Sequence, residues 1–129
     1  MHIEIHDNTV FRSIQDTFSN FYPYLKLEFY KKAHRKFESS DKKNFINPDC
    51  IVSDIKKTHL SALIEIQPSY KVSEVEKEFQ QRLGLPVQIL WKGGQGWKQT
   101  VGADNLTLKE LNEISRNSSD EFILSNPNT

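Results

Sequence analysis

Three polar side chains near the amino terminus have the types and spacing of metal ligands. His2, Glu4 and His6 alternate with Ile3 and Ile5, so a strand would place all three on one face. Imidazole and carboxylate groups bind zinc and other divalent metals, which would suit a metal-dependent enzyme. The same alternation is typical of the polar face of an ordinary strand, and no second cluster supplies further ligands at a diagnostic spacing. The sequence therefore favours a polar strand face, and we expect no metal or cofactor.

The single cysteine is a second candidate for chemistry. Cys50 could act as a nucleophile if His34 or His59 lay beside it, because a thiolate needs a neighbouring base or positive charge. No motif places either histidine near it. The sequence favours a partly buried structural cysteine.

A glycine-rich segment, Gly93-Gly94-Gln95-Gly96, superficially resembles a phosphate-binding loop. It lacks the Gly-Lys-Ser/Thr ending of such a loop and falls between two predicted strands, so it predicts a hairpin. The sequence also has no serine elbow, no HExxH helix, no CxxC pair and no clearly paired carboxylates. These observations favour a protein that is not an enzyme.

Aromatic residues interleaved with lysines form the most suggestive pattern. Bases of single-stranded nucleic acid stack on such rings while lysines contact phosphates, and a sheet face would present both. The alternative is structural: Trp91 would share a core face with Val87 and Ile89, and the tyrosines would be ordinary strand residues. The candidate binding surface consists of Tyr24, Tyr30, Lys31, Lys32, Arg35, Lys92, Trp97 and Lys98.

Length and composition limit the possible protein classes. A chain of 129 residues with 36% hydrophobic and 26% charged residues has the size and balance of one folded domain. Seventeen basic and seventeen acidic residues give zero net charge, so no overall field attracts nucleic acid or a membrane surface. The amino terminus lacks a signal-peptide pattern, no apolar run reaches membrane-spanning length, and the lone cysteine suits a reducing compartment. We therefore expect a cytoplasmic protein.

The amino-terminal half should contain two strands joined by a helix. The pattern predicts a strand at 2–6, an amphipathic helix from Val10 capped by Asn8 or Asp7, and a strand over 24–30 that buries alternate residues. The next segment, 31–58, is a basic insertion in which Asn47-Pro48 could cap a short helix.

The carboxy-terminal half should repeat this order. A strand over 60–66 precedes a helix that begins with a capping box at Ser73–Glu76 and ends at Gly84. A strand from Val87 and a returning strand over 97–101 should form a hairpin. A second capping box at Thr107–Glu110 should begin a final helix that runs to about Ser115.

These elements predict an α+β fold. Two β-α-β units in succession favour a ferredoxin-like split βαβ arrangement, with an added C-terminal hairpin strand and helix. We expect residues 1–117 to form a single domain and residues 118–129 to form a loosely ordered tail.

The last third of the chain resembles a family of uncharacterised bacterial domains. The shared motifs are a Leu-Pro-Val-Gln strand, a Gly-x-x-Trp hairpin and a Thr-Leu helix start, within VQILWKGGQGWKQT and DNLTLKELN. That family has no assigned activity, so the resemblance implies no catalytic residue.

Three functional hypotheses follow. The first is a non-catalytic protein-interaction or scaffolding module that uses its sheet face and the Gly93–Trp97 hairpin. The second is single-stranded nucleic-acid binding through Tyr24, Tyr30, Trp97 and the basic patch over 31–43, and the third is a metal-dependent enzyme. We expect another protein as partner and no membrane, and an exposed edge strand leaves a homodimer possible.

Overall fold

The computed structural model describes residues 1–32, 44–94, 96–100 and 102–124, with side chains described up to residue 118. In chain order its elements are β1 (His2–His6), α1 (Phe11–Phe21), β2 (Leu25–Phe29), α2 (Val52–Ile55), β3 (Ser61–Glu65), α3 (Val72–Leu83), β4 (Val87–Gly93), β5 (Gly96–Gln99) and α4 (Leu108–Leu124). Every helix in these ranges is too short or too polar to cross a lipid bilayer.

The described strands form two antiparallel sheets. Strand β1 pairs with β3, and a three-stranded sheet has the order β2-β4-β5. With four helices in the described ranges, the predicted α+β class is confirmed. The ferredoxin-like arrangement stays a prediction, since β1 pairs with β3 and β2 with β4 in separate sheets.

One hydrophobic cluster joins both sheets to the helices. Leu25, Leu27 and Phe29 are all buried in it, which confirms the alternation predicted for β2. The ring of Phe29 lies between Phe11 of α1 and Phe79 of α3, with centroids 5.2 and 5.6 Å away. Burying each such ring contributes roughly 1.5–3 kcal/mol. These contacts hold α1 and α3 against the same strand.

The start of α1 differs from the prediction. Neither Asn8 nor Asp7 caps the helix; the N-cap is Val10, which makes no side-chain cap. Instead, the Phe11 amide donates to the carbonyl of Cys50 at 3.1 Å. Backbone from the segment before α2 therefore satisfies an amide that a side chain would otherwise cap.

The short helix predicted in the basic insertion is present as α2, but Asn47-Pro48 lies ahead of it. The Cys50 amide donates to the Asn47 carbonyl at 3.0 Å, which closes a turn through Pro48. The helix itself begins after Ile51, whose amide donates to the Asp54 carboxylate at 3.0 Å. Most of the remaining insertion, 33–43, lies outside the described residues.

The carboxy-terminal end of α3 matches the prediction, and the amino-terminal end does not. The N-cap is Lys71, whose amide donates to Glu74 at 3.1 Å, so the predicted capping box at Ser73–Glu76 is wrong. The helix ends at Gly84 as predicted, with φ 70° in the left-handed region that glycine tolerates.

The predicted start of α4 is confirmed. The amide of Glu110 donates to the Thr107 hydroxyl, and the Thr107 amide donates to the Glu110 carboxylate, both at 3.1 Å. The helix continues to Leu124 rather than ending near Ser115. Low helix propensity in its polar second half did not end it, because propensity is only a weak constraint. Residues 125–129 of the predicted tail lie outside the described part of the chain.

Candidate interaction surface on the three-stranded sheet

The hairpin between β4 and β5 is confirmed, with the return strand at Gly96–Gln99 instead of 97–101. Gly93 lies opposite Gly96, so two residues form the loop. Gly96 has φ 117°, a conformation that side-chain-bearing residues rarely adopt. The glycine-rich segment thus closes a hairpin and does not begin a helix, which removes the phosphate-loop interpretation.

The two tryptophans of the hairpin have different environments. Trp91 packs partly buried against the core, and the ammonium of Lys98 lies 5.4 Å from its ring centroid. Trp97 is 42% exposed, with the Lys26 ammonium 5.0 Å from its ring centroid. Cation–ring contacts of this kind stabilise by about 0.5–1 kcal/mol at exposed positions. Trp97 is therefore the aromatic side chain that the hairpin presents to solvent.

The predicted binding residues only partly come together. Lys92 and Trp97 are opposite each other and exposed, Lys98 is exposed on the same strand, and Tyr24 is half-buried at the end of β2. Lys31 and Lys32 are exposed just beyond the other end of β2, at the opposite end of that strand from Tyr24. Arg35 lies outside the described residues.

Tyr30 does not belong to an exposed surface. Its side chain is buried, its hydroxyl donates to the Glu28 carboxylate at 2.8 Å, and its ring lies 6.0 Å from that of Phe45. The alternation in β2 pointed to an outward side chain, but the chain returns past it, since the Tyr30 and Phe45 backbones form an isolated bridge.

Helix α4 anchors one end of this sheet. The Ser115 hydroxyl lies within hydrogen-bond distance of the Lys92 carbonyl and of the Tyr24 carbonyl, and the Tyr24 amide donates to Asn112 at 3.1 Å. These bonds satisfy backbone groups where β2 and β4 end. Helix α4 therefore holds the hairpin close to its loop.

Helix α1 closes the outer edge of β2. The Gln15 side-chain amide donates to the Leu27 carbonyl at 2.9 Å, and the Ser19 hydroxyl donates to the Leu25 carbonyl at 3.0 Å. Edge strands otherwise offer such groups to other chains. This edge is therefore occupied from within the molecule.

Glu76 is the polar residue that sequence reasoning missed. Its carboxylate accepts a hydrogen bond from the Ile89 amide at 3.2 Å. Burial raises the pKa of Glu76 to about 7; the negative charge of Asp104 adds to this increase, and the bond from Ile89 opposes it. The spacing of Glu76 from Val72 and Phe79 places it on the inner face of α3, which could have revealed it. The capping-box pattern instead predicts a position for Glu76 at the helix start.

The amino-terminal histidines do not assemble a metal site in the described structure. His2, Glu4 and His6 are exposed on β1, with His2 Nε2 3.8 Å from Glu65 and His6 Nε2 3.9 Å from Glu4. Within the ranges that the structure describes, no group of three or more His, Cys, Asp or Glu side chains could hold a metal ion. The metal-enzyme hypothesis gains no geometric support.

Cys50 is half-buried against the core, as a structural cysteine would be. The ring of His59 is engaged elsewhere, with Nδ1 2.6 Å from Asp7. A hydrogen bond from the Leu60 amide lowers the pKa of Asp7 below its usual value, and the His59 side chain lowers it further. His34 lies outside the described residues.

Comparison of this chain with family models, with curated proteins and with solved structures finds no match.

Proposed function

We propose that this protein is a non-catalytic protein-interaction module whose contact surface centres on Trp97. The observation that carries the proposal is a large aromatic side chain, 42% exposed, on a hairpin held by α4. Tryptophan is enriched among the few residues that supply most of the binding energy in protein interfaces. A hairpin that is held close to its loop also limits the entropy lost on binding.

The surrounding charges suit a protein partner with some acidic character. Lys92 is exposed opposite Trp97 on the same face of the sheet, and Lys98 is exposed on the other face. The Lys26 ammonium is shared between the Trp97 ring and Glu28, 3.7 Å away. Complementary charges of this kind steer association and fix register more than they add affinity.

The experiment that tests the proposal compares two exposed aromatic residues. We expect in-cell crosslinking and affinity purification from cytosol to identify a partner that then binds the purified protein directly. Trp97→Ala should weaken that binding by about thirtyfold, as for an interface hot spot. Phe21→Ala, which removes a 61% exposed ring at the end of α1, is the matched control and should leave affinity unchanged.

Equal affinities of wild type and Trp97→Ala would contradict the proposal, and so would an equal loss in Phe21→Ala. The cytosol is the source of choice because a lone cysteine suits a reducing compartment.

Single-stranded nucleic-acid binding is the second candidate, favoured by the lysines around Trp97. It predicts that affinity for oligothymidine falls steeply between about 50 and 200 mM salt. The Lys26 ammonium already occupies space over the Trp97 ring where a base would stack, so we expect no such binding in fluorescence anisotropy. Salt-sensitive binding that Trp97→Ala abolishes would favour this second function instead.

A further inference from the structure

The register of the hairpin determines which backbone groups of β5 face β4. Gly93 and Gly96 flank a two-residue loop and therefore form a hydrogen-bonded pair. In an antiparallel ladder such pairs alternate with pairs that exchange no bonds. Trp91 and Lys98 thus form the next hydrogen-bonded pair.

The intervening residues direct their backbone groups away from the β4–β5 ladder. The Lys92 amide confirms this alternation, because it donates to the Tyr24 carbonyl on the β2 side at 2.9 Å. On β5, the amides and carbonyls of Trp97 and Gln99 must therefore point to the outer edge of the sheet.

This outer edge is open in the part of the chain that the structure describes. No described side chain or backbone group bonds the outward amides and carbonyls of Trp97 and Gln99, whereas Gln15 and Ser19 close the corresponding edge of β2. An open edge is the structure to which extended segments of partner proteins add as an extra strand.

The charges beside the outer edge of β5 favour one kind of binding partner over others. Lys98 lies on β5, so a second β5 paired antiparallel about that residue would place the two Lys98 side chains directly opposite each other. Nucleic-acid phosphates could accept the outward amides but offer no donor to the outward carbonyls. A peptide backbone supplies both a donor and an acceptor, and its acidic side chains would meet Lys98.

Resting on the proposed function, we infer that the partner adds an extended acidic segment as a fourth strand along the outer edge of β5. Side chains of that segment opposite Trp97 share its outer face and should be apolar. Those opposite Lys98 share the other face and should be acidic, which gives the segment an alternating pattern.

Selection from random peptides displayed on phage tests this inference on the full chain. We expect enrichment of peptides that alternate Asp or Glu with apolar residues. Gln99→Pro removes one outward amide and leaves the bonds to β4, since the Gln99 amide does not face β4. It should weaken the selected peptides about five- to tenfold, the effect of one lost backbone hydrogen bond. The matched variant Gln99→Ala keeps the amide and should bind within about twofold.

Lys98→Glu provides a second variant if circular dichroism shows that Gln99→Pro is unfolded. It keeps every backbone group and should weaken acidic peptides by about tenfold or more, because it replaces attraction by repulsion.

Several outcomes would overturn the inference. Selected peptides without acidic enrichment, or unchanged affinity in both Gln99→Pro and Lys98→Glu, would exclude strand addition by an acidic segment. If Trp97→Ala alone weakened binding, the interaction surface would stand and only strand addition would fail. If Trp97→Ala had no effect either, the proposed function itself would fail. Oligothymidine that displaced the peptides and bound Gln99→Pro normally would assign the surface to nucleic acid.

Discussion

The two outer edges of the three-stranded sheet are treated differently by the rest of the molecule. Along β2, side chains of α1 bond the carbonyls of Leu25 and Leu27, and the Ile46 amide bonds that of Phe29. Along β5, the outward groups of Trp97 have no such partner in the described residues, and the tryptophan side chain is exposed. The edge of β2 therefore stabilises the fold, and the edge of β5 remains available for contact.

The largest effect is expected from a substitution in β2, the strand whose outer edge is closed. Leu27→Ala should lower the free energy of unfolding by about 2–5 kcal/mol, because Leu27 is 0% exposed and its loss leaves a cavity. Trp97→Ala should change it by less than about 1 kcal/mol, since the side chain is largely outside the core. Urea denaturation measures both values. Similar losses in the two variants would mean that Trp97 is a core residue and that the comparison is wrong.

The next effect concerns Glu76, which bonds Ile89 where the pairing of β4 with β5 ends. Between its usual pKa of 4.5 and about 7, folded Glu76 keeps a proton that the unfolded chain has released. The free energy of unfolding should therefore fall as pH rises through this window, by about 2–3 kcal/mol, and this contribution should be constant above it.

Glu76→Gln should remove that pH dependence, because its carbonyl oxygen can still accept the Ile89 amide without carrying a charge. Denaturation at pH 5 and pH 8 should show the variant more stable than wild type by about 2 kcal/mol at the higher pH only. Glu113→Gln, at an exposed position on α4, is the control. A variant that kept the wild-type pH profile would show that Glu76 is not the titrating group.

The smallest effect on the free energy of unfolding is expected from substituting one glutamine at each edge. Gln15→Ala removes the donor to the Leu27 carbonyl and should cost about 0.5–1.5 kcal/mol. Gln99→Ala should be neutral or slightly stabilising, because its buried side-chain oxygen has no partner among the described residues. A greater loss in Gln99→Ala, measured by the same denaturation, would show that the β5 edge also stabilises the fold.

Local sequence signals predicted much of the fold. Alternation in β2, the Thr107–Glu110 capping box and the Gly84 stop each depend on residues within a few positions of one another. The start of α1 could not be predicted in this way, because Cys50, about forty positions along the chain, supplies the carbonyl that receives the Phe11 amide. Backbone carbonyls leave no signature in residue type.

The candidate surface was predictable in composition but not in arrangement. Trp97 and Lys98 were found from the interleaving of aromatic and basic residues, and both are exposed. Tyr30 is buried instead of exposed, because its ring contacts that of Phe45, fifteen positions along the chain. The open edge depends on the hairpin register, which the glycines indicated only approximately.

Amide hydrogen exchange of the isolated protein shows whether the β5 edge is open. We expect the Trp97 and Gln99 amides to exchange rapidly, and the Lys98 amide between them, which faces Trp91 in the ladder, to exchange far more slowly. Equal protection of all three amides would mean that the edge is already covered and that β5 is not free to accept a further strand.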